Sequence, residues 1–132
     1  MTSNERHFAL LRSLVGAKVS FVTVGSAAQV LAEQRVYEVP DVDILLEEHS
    51  VSGLVQWAGE GNVTVWGEQW STSVELDGKI YLRAMIDGLQ LDATFEEPEF
   101  SIAELIEGAR WIEGIPVCAP GPLRRMATRP RS

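Results

Sequence analysis

The sequence predicts an α+β fold, a mixed β-sheet flanked by helices, formed as one domain over residues 1–132. Three observations carry that expectation. Helical and strand patterns alternate through the first half, residues 62–95 switch to short β segments with Asp-Gly turn signals, and no linker, internal repeat or low-complexity stretch divides the chain. A chain of 132 residues with 45% hydrophobic content is long enough to bury a core.

Taken in order, Thr2 to Glu5 fits a capping box, and Phe8, Leu11, Leu14 and Val15 then recur on one helical face until Gly16. Val19 to Val24 is β-rich, and Gly25-Ser26 turns it into a helix whose apolar positions include Ala28, Val30 and Leu31. Val42 to Leu46 reads as a buried strand. His49 to Ala58 reads as a helix opened by Ser50 or Ser52, with Val51, Leu54 and Val55 inward and Gly59 and Gly61 at its end. Between Asn62 and Phe95, Asp77-Gly78 and Asp87-Gly88 separate Val74-Glu75-Leu76, Ile80-Tyr81-Leu82 and Leu89-Gln90-Leu91, the pattern of a β meander. Ser101 to Glu104 is a second capping box, Ile115-Pro116-Val117 a brief extended segment, and Pro120 to Met126 a last helical stretch.

Charge and cysteine content narrow the function. With 19 acidic against 11 basic residues the formal charge is -8, which opposes polyanion binding through counterion release and ranks a nucleic-acid partner low. Cys118 is the only cysteine, so no intrachain disulfide forms, and it reads as a small buried hydrophobe. The segment Thr2-Ser3-Asn4-Glu5-Arg6-His7 lacks the basic start and apolar run of a signal peptide, and no apolar run approaches the ~18 residues of a membrane span. A cytoplasmic, membrane-free protein is expected.

The chemistry concentrates on acids. Asp41 and Asp43, in Pro40-Asp41-Val42-Asp43-Ile44, are two apart on a strand, and such side chains share a face. Carboxylates held side by side resist ionising unless a cation neutralises them. Hard cations such as Mg²⁺ take carboxylate oxygens and complete their shell with water and substrate phosphates, which points to phosphate chemistry. Asp92 stands alone in the apolar run Leu89 to Phe95, and if that strand lies beside Val42 to Leu46 the three acids converge. Phosphoryl or nucleotidyl transfer through two ions about 4 Å apart needs that arrangement.

Other polar residues have plainer readings. His7 and His49 read as surface residues, Glu96, Glu97 and Glu99 as a solvated loop, and Arg124, Arg125, Arg129 and Arg131 as a solvated end that could meet an anionic partner. Trp57, Trp66, Trp70 and Trp111 read as core or interface anchors.

Gly25-Ser26, then Asp41-Val42-Asp43 after a helix, then Asp92 on a later strand resembles the nucleotidyltransferase superfamily of the DNA polymerase β type, in its small stand-alone form. Gly114 to Met126 is similar to the segment where a short strand leads into a basic-ended helix, so the likeness runs from Val19 to the C-terminus. The resemblance implies one nucleotidyltransferase-like domain that moves a nucleoside monophosphate from an NTP, such as ATP, to a hydroxyl acceptor with two Mg²⁺ ions. Asp41 and Asp43 would bind both ions and the triphosphate, and Asp92 would complete the metal site and could accept the proton of the attacking hydroxyl. Gly25 and Ser26 would contact the phosphates, as would Arg35. Many members continue into a C-terminal helical region that shapes the acceptor pocket, so the acceptor is expected on a partner or a second copy, as in a homodimer or with a helical protein partner. A small molecule or a protein side chain is the favoured acceptor, with the 3' end of a transfer RNA last. The alternatives are a toxin-antitoxin component of the same fold and a non-catalytic nucleotide-binding module.

Overall fold

The computed structural model describes residues 1–66 and 81–129. The expectations placed on Trp70, Val74-Glu75-Leu76, Asp77-Gly78, Ile80 and Arg131 lie outside the described residues.

Helix α1 spans Ser3–Gly16, and Thr2 caps it by accepting the Glu5 N–H at 3.1 Å. Its inward stripe is His7, Leu10, Leu11 and Leu14, one step round from the predicted face, with Phe8 and Val15 only partly buried. His7 is therefore not a surface residue: it is 3% exposed. The helical period places it one turn before Leu10 and Leu11, and its Nδ1 bonds the Ser3 carbonyl at 2.8 Å, which makes a buried imidazole tolerable.

Strand β1 (Val22–Val24) leads straight into α2 (Gly25–Glu33), and β2 (Val42–Leu45) returns antiparallel to β1. Helix α3 covers Val51–Ala58, where Trp57 donates to Ser13 Oγ at 3.1 Å and ties α3 to α1. Strands β3 (Val63–Trp66), β4 (Tyr81–Ile86) and β5 (Leu89–Thr94) follow. Asp87 and Gly88 both take positive φ, 52° and 79°, the two-residue turn that suits the twist of the β4–β5 hairpin. Helix α4 (Ile102–Glu107) opens with the Glu104 N–H on Ser101 Oγ, as its capping box predicts.

A further hairpin joins β6 (Arg110–Ile112) to β7 (Ile115–Val117), of which the sequence announced only the second strand. Its turn, Glu113-Gly114, uses the same positive-φ pair, but glutamate is a weaker turn signal than aspartate. Trp111 sits on β6 and is 64% exposed, so it is no core residue. Helix α5 (Pro120–Thr128) begins with proline in its first turn, where the missing N–H costs nothing.

The strand order is β3-β4-β5-β2-β1-β7-β6, with β2–β5 and β1–β7 parallel and the remaining pairs antiparallel. The mixed sheet and its flanking helices are as predicted. Helix α2 packs on β1 and β2, α5 on α2, and α1 against β7. Phe21, Val22, Ile44, Leu91 and Ile115 fill the core between them. Among the described residues no helix is long and apolar enough to cross a membrane.

Two polar devices fix the loops around this core. Asn4 Nδ2 donates to the Tyr37 carbonyl at 2.9 Å while its Oδ1 accepts the Val39 N–H at 2.7 Å. The carboxamide thus replaces a strand partner and pins the loop two residues before Asp41. Asn4→Ala is expected to cost about 1–3 kcal/mol through the two backbone groups it strands, a fall of roughly 5–10 °C in a thermal melt. The second device joins the segments read as solvated. Arg129 Nη2 lies 2.8 Å from Glu97 Oε1 and its Nε 3.0 Å from Glu99 Oε1, while Arg125 Nε reaches Glu99 Oε2 at 2.9 Å. Glu97's side chain is only 4% exposed. The acidic loop and the basic end neutralise each other, a pairing of segments far apart in sequence that local composition does not reveal.

Candidate active site

The register of the sheet centre builds the site. Asp43 on β2 lies opposite Asp92 on parallel β5, and opposite Val24 on β1. Carboxylate oxygens of Asp41, Asp43 and Asp92 all fall within 4.8 Å of one another. The convergence predicted from the spacing of the acids is present.

Gly25, directly after Val24, has φ +69° and packs against Asp43: a Cβ built there would stand 2.6 Å from Asp43 Oδ2. Glycine is needed for both the turn and the space. It also begins α2, whose N-cap, Val24, has no side chain to bond the free N–H groups. Uncapped helix N–H groups beside a cation site suit an anionic ligand. Ser26 is in that first turn.

Two residues not foreseen join the cluster among the described residues. Arg83, opposite Asp92 in the β4–β5 register, forks onto it with Nε 2.9 Å from Oδ1 and Nη2 3.3 Å from Oδ2. Gln90 Nε2 bridges Asp92 Oδ2 at 3.1 Å and Asp41 Oδ2 at 3.3 Å. Both were recoverable in principle. A two-residue turn at Asp87-Gly88 pairs Ile86 with Leu89 and, counting outward, Arg83 with Asp92, while Gln90 shares Asp92's face two residues away. Arg35 is not brought to the acids. It is exposed, bonds Glu33 Oε2 at 3.0 Å, and lines a surface groove with Thr2, Asn4 and Tyr37.

Burial, followed by the neighbouring Asp41 and Asp92 charges, pushes Asp43 up to about 7, against an ordinary value of 3.8. Asp41 is raised too, by burial and then Asp92, with Arg83 and His7 opposing. The folded chain thus holds the Asp43 proton more tightly than the unfolded chain. That contribution to stability is complete below pH ~4 and is lost as pH rises through about 7. Metal-free wild type is therefore expected to lose melting temperature relative to Asp43→Asn between pH 5 and 8, and a divalent cation to restore it. Parallel melts of the two proteins across that range check this.

An oxygen-only donor set, crowded charge and a glycine cradle fit a hard divalent cation. Asp41, Asp43 and Asp92 are the residues that would hold it.

Comparison of the whole structure with solved ones defines the class: the chain has the nucleotidyltransferase fold. In particular it is similar to a candidate nucleotidyltransferase from Thermotoga maritima, with a TM-score of 0.69 and 21% identity over 93% of this chain and 83% of that one. A candidate nucleotidyltransferase from H. pylori matches with a TM-score of 0.51 at 18% identity, and there the chain spans 56% of the other's length. ANT(2")-Ia, solved in complex with adenylyl-2"-tobramycin, matches with a TM-score of 0.53 at 18% identity over 84% of this chain and 67% of that one. No family model and no curated protein matches the sequence.

Proposed function

We propose that the protein is a metal-dependent nucleotidyltransferase that moves a nucleoside monophosphate from an NTP to a hydroxyl on a small molecule or a protein. The observation that carries this is the meeting of Asp41, Asp43 and Asp92 oxygens within 4.8 Å at the open start of α2, in this fold. Bound Mg²⁺ would supply charge neutralisation at the triphosphate and activation of the attacking oxygen. Asp41 and Asp43 would hold the nucleotide's ion, with Asp92 as the third carboxylate beside them, and the α2 N–H groups with Ser26 orient the phosphates. Gly25 keeps the backbone close enough for that contact. The acceptor oxygen bonds to the α-phosphorus, the bond to pyrophosphate breaks, and the acceptor's proton passes to a carboxylate of the cluster. A small-molecule acceptor is in keeping with the adenylylated tobramycin bound to ANT(2")-Ia.

The test is thermal shift with Mg²⁺ and each of ATP, GTP, CTP and UTP, where a ligand at about 100 times its Kd adds ~2.7 kcal/mol. Stabilisation by a nucleotide, followed by a mass increase on an acceptor, supports transfer. Binding without transfer to any acceptor identifies a nucleotide-binding module, and no stabilisation by any of the four removes the reading.

A further inference from the structure

Arg83 is an unusual neighbour for a metal site. Its fork occupies both oxygens of Asp92, and Gln90 takes a further position on Oδ2. A carboxylate offers about four lone-pair sites and three are taken, so Asp92 keeps about one, enough to share a cation with Asp41 and Asp43 but not to hold another. Arg83 is also held from behind, with its guanidinium carbon 5.7 Å from the ring centre of Tyr81, a fully buried residue on the same strand face. Its side chain is 22% exposed and that of Asp92 7%, so the pair is shielded from the solvent that weakens surface ion pairs. Among the described residues, one guanidinium against three carboxylates leaves a formal charge that a single divalent cation neutralises.

We infer that Arg83 is a built-in counter-ion that takes the place of the second metal at Asp92, so that the chain binds one divalent cation tightly, at Asp41 and Asp43, and a second only weakly. The inference rests on the proposed nucleotidyl-transfer site and refines it: Arg83 positions Asp92 and sets how many ions the site holds. Repulsion between a guanidinium and an incoming cation at this range, in a partly shielded site, is worth about ten-fold or more in affinity.

Mn²⁺ titration of the whole chain, with free Mn²⁺ read by electron paramagnetic resonance, tests it without any turnover. Wild type is expected to saturate at one tight ion, and Arg83→Met to take up a second at least about ten-fold more tightly than wild type does. Arg83→Gln, which keeps a neutral donor for Asp92, is expected to behave as Arg83→Met does and guards against misfolding of the first variant. Two ions of similar affinity in wild type would overturn the inference while leaving the metal site standing, whether or not the variants fold. So would a folded variant that still takes one. Absence of any bound Mn²⁺ in wild type would overturn the inference, while the transferase reading is decided separately by the nucleotide thermal shift.

Discussion

Asp43→Asn is expected to abolish Mg²⁺-dependent nucleotide binding while leaving the fold intact or slightly more stable. Asp43 is the member of the cluster that contacts both other acids electrostatically and abuts the start of α2. Asparagine keeps the shape that Gly25 accommodates but removes the charge that a hard cation needs. Transfer should fall by about 1,000-fold or more, the several kcal/mol that metal-ion catalysis supplies. Above pH 7 the metal-free variant should gain about 1–2 kcal/mol, because a buried carboxylate crowded by two others no longer has to ionise. Melts with and without Mg²⁺ and nucleotide read both effects. A variant that unfolds would remove Asp43 from the site and make it a structural residue.

The second large effect is expected at Gly25, where Gly25→Ala should lower stability by about 2–4 kcal/mol and metal affinity by about 10–100-fold. One part of the loss is the positive φ of +69°, which an L side chain adopts at a cost. The other is the methyl group, 2.6 Å from Asp43 Oδ2, which must push the carboxylate out of the cluster. The two parts separate in a double-mutant cycle. Asp43→Ala removes the clash but not the backbone strain, so Gly25→Ala should cost less in that background than in wild type. Equal cost in both backgrounds would mean that the glycine serves the turn alone.

Much of this site was legible because its parts follow short-range rules. Asp41 and Asp43 share a face through the two-residue period of a strand, and Gly25-Ser26 marks a turn into a helix through backbone freedom. The convergence of Asp92 required only that β5 lie beside β2, and it does. What remained hidden depends on contacts between distant segments or on patterns that conflict. His7 reads as polar and therefore exposed, yet the helical period buries it beside Leu10 and Leu11. Glu97 and Arg129 look solvated separately and are paired in space. Strand β6 was masked by a Glu-Gly turn and by Pro116 in its partner, which argues against a central strand although β7 is one. Arg83 was missed because its meaning appears only once the hairpin register is counted. Arg35 was drawn to the phosphates by likeness of position, and its place beside Glu33 is set by the exposed loop that follows α2.

The β4–β5 hairpin also orders events in time. Arg83 and Asp92 are nine residues apart and joined by a tight turn, whereas Gln90 and Asp41 are separated by 49 residues. Hairpins close in about 1–10 μs, well before strands that distant find each other. On that ordering Asp92 is expected to reach the other two acids already paired with Arg83, which would spare the folding chain from bringing three bare negative charges together.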